Sequence, residues 1–234
     1  MIYVTSDLHG CSVRQFKALL DSASFTDEDF LFILGDVIDR GECGAELLLW
    51  LTEQTNMQLI LGNHEALLLA CDFLFEEITE ESLSRLKEEQ LLLLQNWMEN
   101  GGSATMNGLW KLNKQDPELV AGIIEYLQDC PLWDTAAVNG KEYVLVHAGL
   151  GNFSPDKLLE NYTPDELMMV RPDVDTVYYP DRTVIFGHTP TACYDEANAG
   201  KIFQTQSWIC MDTGLGASGH PALLRLDDMK VFYG

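Results

Sequence analysis

Four of the five histidines in this chain of 234 residues stand at one kind of position. His9, His64, His147 and His188 each follow an apolar run and lie within two residues of a glycine. Histidines spent on core packing have no reason to gather there. With the carboxylates of Asp7 and Asp36 and the amide of Asn63 in equivalent turns, they form a donor set of mixed nitrogen and oxygen character. Such a set suits Mn²⁺, Fe or Zn²⁺ better than Ca²⁺, and the sequence does not choose among the three. Two carboxylates at about 4 Å repel by roughly 4 kcal/mol at an effective dielectric near 20, and a divalent ion reverses the sign.

The densest stretch is Gly35-Asp36-Val37-Ile38-Asp39-Arg40-Gly41, directly after the apolar run 30–34. Glycine allows the sharp bend, and in open α/β sheets ligands bind at the carboxyl ends of strands. Asp36 is therefore read as a bridge between two cations, Asp39 as the group that orients a neighbouring acid, and Arg40 as a phosphate grip. Asp7 and His9 are two apart, so on an extended backbone they point to one side and make half of a metal site.

These turns need strands and helices to hold them. Residues 2–6 read as a strand, followed by a helix that buries Phe16, Leu19 and Leu20. Residues 30–34 and 58–61 read as further strands, with a helix through 46–51 between them. Strand, glycine turn and helix thus recur three times in the first 65 residues, which predicts a parallel or mixed sheet in an α/β fold. Residues 66–130 differ: leucine-rich stretches at 67–75, 83–98 and 117–128 read as a helical insertion beside or over the cleft, broken at Asn100-Gly101-Gly102. The acidic run Asp72, Glu76, Glu77, Glu80 and Glu81 within it reads as a solvated face. Strands resume at 143–146 and 184–186, and residues 208–214 with 223–233 read as closing β-hairpin structure. The whole of 1–234 is expected to be one domain, since 47% hydrophobic composition suffices for one full core.

Composition excludes some partners. A formal charge of −23, from 37 acids against 14 bases, opposes nucleic-acid backbones and anionic membranes. It also repels phosphate, so any phosphate chemistry needs bound cations and local arginines to reverse the sign inside the cleft. No apolar run approaches the roughly 20 residues that span a bilayer. Six scattered cysteines without a CxxC pair, and a start that enters a strand directly, suit a reduced, cytoplasmic setting. Cys11 and Cys43 are expected to be inert thiols, and His220 a loop residue.

Taken in order, Asp7-x-His9, Gly35-Asp36-x-x-Asp39-Arg40-Gly41, Gly62-Asn63-His64-Glu65, His147-Ala148-Gly149 and Gly187-His188 resemble the phosphoprotein phosphatase branch of the calcineurin-like metallophosphoesterases. The Asp212-Thr213-Gly214 end is also similar, and Val170-Arg171-Pro172 with Asn100-Gly101-Gly102 resembles the compact bacterial and phage-lambda-type phosphatases. The resemblance implies two mixed β-sheets packed face to face and flanked by helices. It implies that Asp7 and His9 hold one metal, that Asn63, His147 and His188 hold a second, and that Asp36 bridges them. It makes His64 the general acid, oriented by Asp39, with Arg40 and Arg171 on the phosphoryl oxygens. Ser6, where the family more often has glycine, is expected to have little effect.

The chemistry is consistent with this. Phosphate monoesters need accelerations of up to about 10²¹-fold, of which a general acid supplies about 10²–10⁴. Two ions about 3.5–4 Å apart can generate hydroxide, neutralise charge and steady an in-line attack. Direct attack by metal-bound hydroxide, with two Mn²⁺ ions and without a phosphoenzyme, is the expected route. The expected substrates are phosphorylated serine or threonine proteins and peptides, or small phosphoesters. One alternative is a symmetrical dinucleoside-tetraphosphate hydrolase, whose relatives typically carry Asp where Glu65 stands and lack Thr189-Pro190. The other is a catalytically silent metal-binding scaffold.

Overall fold

The strand–turn–helix repeat at the start of the chain folds as three parallel strands side by side. The computed structural model describes residues 1–75, 87–215 and 219–234. Its strands in chain order are β1 (Ile2–Thr5), β2 (Phe30–Ile33), β3 (Met57–Leu59), β4 (Trp133–Val138), β5 (Lys141–Val146), β6 (Arg182–Phe186), β7 (Phe203–Gln204), β8 (Trp208–Cys210), β9 (Ala222–Arg225) and β10 (Lys230–Tyr233). They form two mixed sheets, in the orders β10-β9-β1-β2-β3 and β4-β5-β6-β8-β7. In the first, β1, β2 and β3 are parallel and the β9–β10 hairpin joins antiparallel. In the second, β5, β6 and β8 are parallel, with β4 and β7 antiparallel at the edges.

The strands read as continuous apolar runs because both faces of each sheet are covered. Alternate residues divide between layers. Val4, Phe32 and Leu34 meet Leu145, Ile185 and Ile209 in the sandwich interior. Tyr3, Leu31 and Ile33 face the opposite way, onto Phe16, Leu19, Leu47 and Leu51 of the helical layer. On the outer side of the second sheet, Val144, Val146 and Phe186 pack against Leu150, Tyr162 and Trp208. Two mixed sheets flanked by helices is the architecture that the resemblance implied.

The helices are α1 (Val13–Ser22), α2 (Gly44–Thr52), α3 (Asn63–Ala70), α4 (Glu88–Glu99), α5 (Ser103–Gln115), α6 (Pro117–Gln128) and α7 (Pro164–Met168). Helix α6 starts where the sequence dictates: Asp116 accepts from Glu118 N, and Pro117 occupies the first turn where no donor is needed. The insertion packs against the first layer, α4 on α3 and both α5 and α6 on α2. Its Trp97 is fully buried. Gly102 makes room for that ring, since a Cβ there would lie 2.5 Å from Trp97 Nε1.

Some expectations need correction. Trp208–Cys210 is not part of the closing hairpin but pairs parallel with β6 in the other sheet. Only β9 and β10 form the hairpin, because the residues after β8 cross from one sheet to the other. The stretch 67–75 is not one helix: α3 stops at Ala70 and a 3₁₀ turn, Asp72–Phe75, follows. Strands β4 and β7 were not anticipated. Glu76, Glu77, Glu80 and Glu81, with residues 83–86 of the predicted helix, lie outside the described residues. Among those described, no helix is long and apolar enough to cross a membrane.

Candidate active site

The site residues come from the carboxyl ends of the two parallel trios. Asp7 and His9 follow β1, Asp36, Asp39 and Arg40 follow β2, and Asn63 and His64 begin α3 after β3. His147 follows β5, His188 follows β6, and Asp212 follows β8. The turns are strained. Among the described residues ten non-glycine residues have positive φ, and six of them are Asp7 (51°), His9 (35°), Asp36 (54°), Asp39 (68°), Arg40 (64°) and His188 (64°). Such left-handed positions cost about 1–3 kcal/mol each and persist where the surroundings over-determine them. Asp7 and His9 therefore meet through a left-handed turn, with 3.9 Å between His9 Nε2 and Asp7 Oδ1, and not through the extended backbone expected from the sequence.

Asp36 lies at the centre, 2% exposed, with its two oxygens turned to different groups. Oδ2 is 3.8 Å from His9 Nε2 and 3.7 Å from His64 Nε2. Oδ1 is 3.4 Å from His147 Nε2, which is itself 2.9 Å from Asn63 Oδ1 and 3.3 Å from His188 Nδ1. His9, Asp36 and His64 form one group whose candidate ligand atoms lie within 4.8 Å of one another, and Asp36, His147 and His188 form another. The close approach of the turns depends on glycine: a Cβ on Gly35 (φ 82°) would lie 2.6 Å from His147 Nδ1.

The imidazoles are oriented by what holds their far nitrogens. His9 Nδ1 donates to Ile38 O at 3.0 Å and His147 Nδ1 to Leu34 O at 2.6 Å, so each Nε2 turns a lone pair inward. Burial pushes His9 down to about 4 and His188 down to about 3, so these rings are neutral, as ligands must be. His64 behaves differently. Burial opposes its charge, but the Asp39 hydrogen bond at 2.7 Å and the nearby Asp36 and Glu65 carboxylates outweigh this and raise it above the usual histidine value. Arg40 donates to His9 Nε2 at 2.8 Å and reaches His64 Nε2 at 3.3 Å. Its guanidinium thus stands as a positive group against the inward lone pair of His9. Arg171 lies at the rim, donating to Thr189 Oγ1 at 3.4 Å.

Four residues to which the sequence alone assigned no role hold the site together. Glu65, fully buried, accepts from Asp36 N at 2.8 Å, Val37 N at 2.8 Å and Gly62 N at 3.1 Å, so its carboxylate clamps the β2 turn to the β3 turn. Burial and the Asp36 charge push it up to about 7. Trp97 Nε1 donates to Asp39 Oδ2 at 2.9 Å, and Thr105 Oγ1 accepts from Asp39 N at 2.9 Å, so the insertion touches the site directly. Asp212 is 2% exposed and is pushed up to about 6 by burial and by Asp36. Burial, then Asp212 and Asp36, raise Asp7 well above the carboxylate range. This crowd of buried acids is short of positive charge, which is the electrostatic condition that a cation relieves. Ser6, expected to matter little, donates its hydroxyl to Asp7 Oδ2.

Sequence comparison gives the family. A family model described as calcineurin-like phosphoesterase matches residues 1–192. The chain belongs to that family. Members are hydrolases that work with a pair of divalent metal ions, and the two groups around Asp36 are candidate ligands. Among curated relatives, a symmetrical bis(5'-nucleosyl)-tetraphosphatase of Buchnera aphidicola is 35% identical over 103 residues, 41% of this chain and 36% of the relative. One from Nitrosomonas europaea is 26% identical over 189 residues, 80% of this chain and 56% of the relative. The chain therefore spans about a third to a half of the length of these relatives. The solved structure "Crystal structure of a putative diadenosine tetraphosphatase" matches with a TM-score of 0.62 at 18% identity, over 100% of this chain and 92% of that one. At that identity the likeness is one of fold.

Cys11 and Cys43 form no disulfide, and burial pushes Cys11 up to about 11, which suits an inert thiol.

Proposed function

We propose that this member of the family hydrolyses a phosphoanhydride of a nucleoside polyphosphate, the reaction its curated relatives are named for, with two divalent cations held around Asp36. The observation that supports this most is the division of Asp36, one oxygen toward His9 and the other toward His147. In this reading Asp7, His9 and Asp36 hold one ion, and Asp36, Asn63, His147 and His188 the other. Mn²⁺ is the preferred metal, with Fe or Zn²⁺ as alternatives. When bound, the pair activates water and neutralises phosphoryl charge. Because the first sheet supplies four of the six ligands and the second the other two, residues 1–234 are read as one functional domain.

The remaining work falls to the protein's own side chains. His64 presents Nε2 to the leaving oxygen and gives up a proton there. Asp39 accepts the Nδ1 proton of His64 at 2.7 Å, which fixes the tautomer and favours the protonated ring. Arg40 and Arg171 supply donors to the phosphoryl oxygens. Glu65 keeps Asp36 in place through the backbone.

A second reading, a protein serine/threonine phosphatase, is supported by Glu65 and Thr189-Pro190. Initial rates with Mn²⁺ on a symmetrical dinucleoside tetraphosphate, a phosphoserine peptide and an aryl phosphate separate the two. The nucleotide reading expects kcat/KM to be highest for the tetraphosphate. A higher value for the phosphopeptide overturns it, and no turnover of any substrate by metal-loaded protein returns the silent scaffold.

A further inference from the structure

The surface beside Arg40 breaks the pattern of the rest of the molecule. A hollow of about 390 Å³ is lined by Arg40, Lys201 and His220, by the small residues Ala192, Ala199 and Pro190, and by the backbone around Gly200 and Gly214. No carboxylate lines it among the described residues. In a chain with 37 acids and 14 bases that is unusual, and three other hollows among the described residues do include acids: Asp72, Glu118 and Glu125 in one, Glu142 in a second, Asp173 in a third. Lys201 makes no ion pair among the described residues, and both it and His220 are exposed. A Cβ added to Gly200 or Gly214 would meet nothing within 4 Å, so both glycines turn an open face outward.

The hollow has a direct physical link to the reacting centre. Arg40 forms part of its wall, and the same guanidinium touches Nε2 of His9 and of His64. It therefore opens on the flank of the site where His64 stands. Lys201 and His220 line the hollow together with Arg40, the residue that reaches His64. An alcohol side chain of a protein has no charge to place there, whereas a nucleoside diphosphate has several.

We propose that this hollow is a subsite for an anionic, phosphate-bearing leaving group. The inference rests on the hydrolase reading above and adds to it a location and a charge requirement for the departing half of the substrate. In the step, water oxygen bonds to one central phosphorus of a tetraphosphate and the bond from that phosphorus to the bridging oxygen breaks. The bridging oxygen leaves as the terminal oxygen of a second nucleoside diphosphate, taking the proton of His64 Nε2, while the attacking water loses a proton to the solvent. Arg40 and Lys201 neutralise its charge, and the Pro190, Ala192 and Ala199 wall takes the less polar end.

Two measurements test this with the full chain and Mn²⁺. The first compares Lys201→Gln with a control, Lys230→Gln, a residue that does not line the hollow, by the ratio of kcat/KM for a dinucleoside tetraphosphate to that for p-nitrophenyl phosphate. Loss of one charge-assisted contact lowers the ratio by about tenfold in Lys201→Gln and not in the control. Equal ratios in the two variants overturn the subsite. The second measures inhibition of p-nitrophenyl phosphate hydrolysis by ADP, by pyrophosphate and by inorganic phosphate. The subsite requires ADP and pyrophosphate to inhibit the native chain about tenfold more tightly than phosphate does, and Lys201→Gln to lose that difference. Equal inhibition by the three anions overturns it. Because the second assay needs no tetraphosphate turnover, it tests the subsite even where the nucleotide substrate reading fails.

Discussion

Trp97 Nε1 and His64 Nδ1 donate to the same oxygen, Asp39 Oδ2, at 2.9 Å and 2.7 Å. The indole comes from the helical insertion, and the imidazole from the first turn of α3. Its own contacts thus give the insertion a place at the candidate site: it supplies a wall and a hydrogen bond behind the carboxylate that orients His64. Trp97→Phe keeps most of the buried ring and removes only the donor. A hydrogen bond to a charged group contributes about 1.5–3 kcal/mol, so kcat is expected to fall by about tenfold with bound metal unchanged. The fall should be largest for poor leaving groups, which depend most on proton donation. A uniform fall across leaving groups indicates a packing role alone.

Glu65 accepts three short backbone hydrogen bonds from two turns of the site, with both oxygens engaged. Glutamine has the same shape but turns an amide donor toward one of those N–H groups. Glu65→Gln is expected to lower stability by about 1–3 kcal/mol and to weaken metal binding, because Asp36 loses its anchor. Chemical denaturation and metal titration read the two effects. An unchanged midpoint with unchanged metal affinity contradicts the clamp.

Acid should loosen the approach to Arg171 before it unfolds the sandwich. Glu166 accepts from Lys157 Nζ at 2.8 Å, from Asn152 and from Thr163 N, and these partners, Lys157 foremost, lower its pKa to about 2. A carboxyl depressed in the folded state stabilises it above its unfolded value, and the contribution fades as pH falls through the folded value. The window therefore runs from about 4.5 down to about 2. Amide exchange across residues 150–168 should accelerate in that window, and Glu166→Gln should remove the pH dependence. Exchange rates that follow only intrinsic acid catalysis contradict this.

Much of the fold could be read from the sequence because local pattern and tertiary burial agree in it. Helix α1 buries Phe16, Leu19 and Leu20 as the 3.6-residue period requires, and Pro117 with Gln128 bounds α6 as expected. Strand β4 was missed because its burial alternates irregularly, yet the turn at Asn139 (φ 52°) and Gly140 (φ 76°) is an Asn-Gly hairpin signal present in the sequence. The crossing of the chain between sheets after β8 left no local trace at all.

The candidate site divides in the same way. The groups brought together around Asp36 announce themselves by type and by position after a strand. Trp97, Thr105, Asp212 and Ser6 do not, since each acts by contact with a residue distant in the chain or by a neighbour's orientation. Only the Gly62-Asn63-His64-Glu65 run carried a signal for the clamp, because a glutamate at the third residue of a helix can reach back to the N-terminal N–H.

The proposed chemistry requires Asp36 to be shared between two cations held by loops from both sheets. Anomalous diffraction from crystals equilibrated with Mn²⁺ would locate those cations. Two peaks about 3.5–4 Å apart are expected, one beside Asp7 and His9, the other beside Asn63, His147 and His188, each in contact with one Asp36 oxygen, and both lost in Asp36→Asn. A single peak, or peaks that leave Asp36 untouched, would contradict the shared carboxylate.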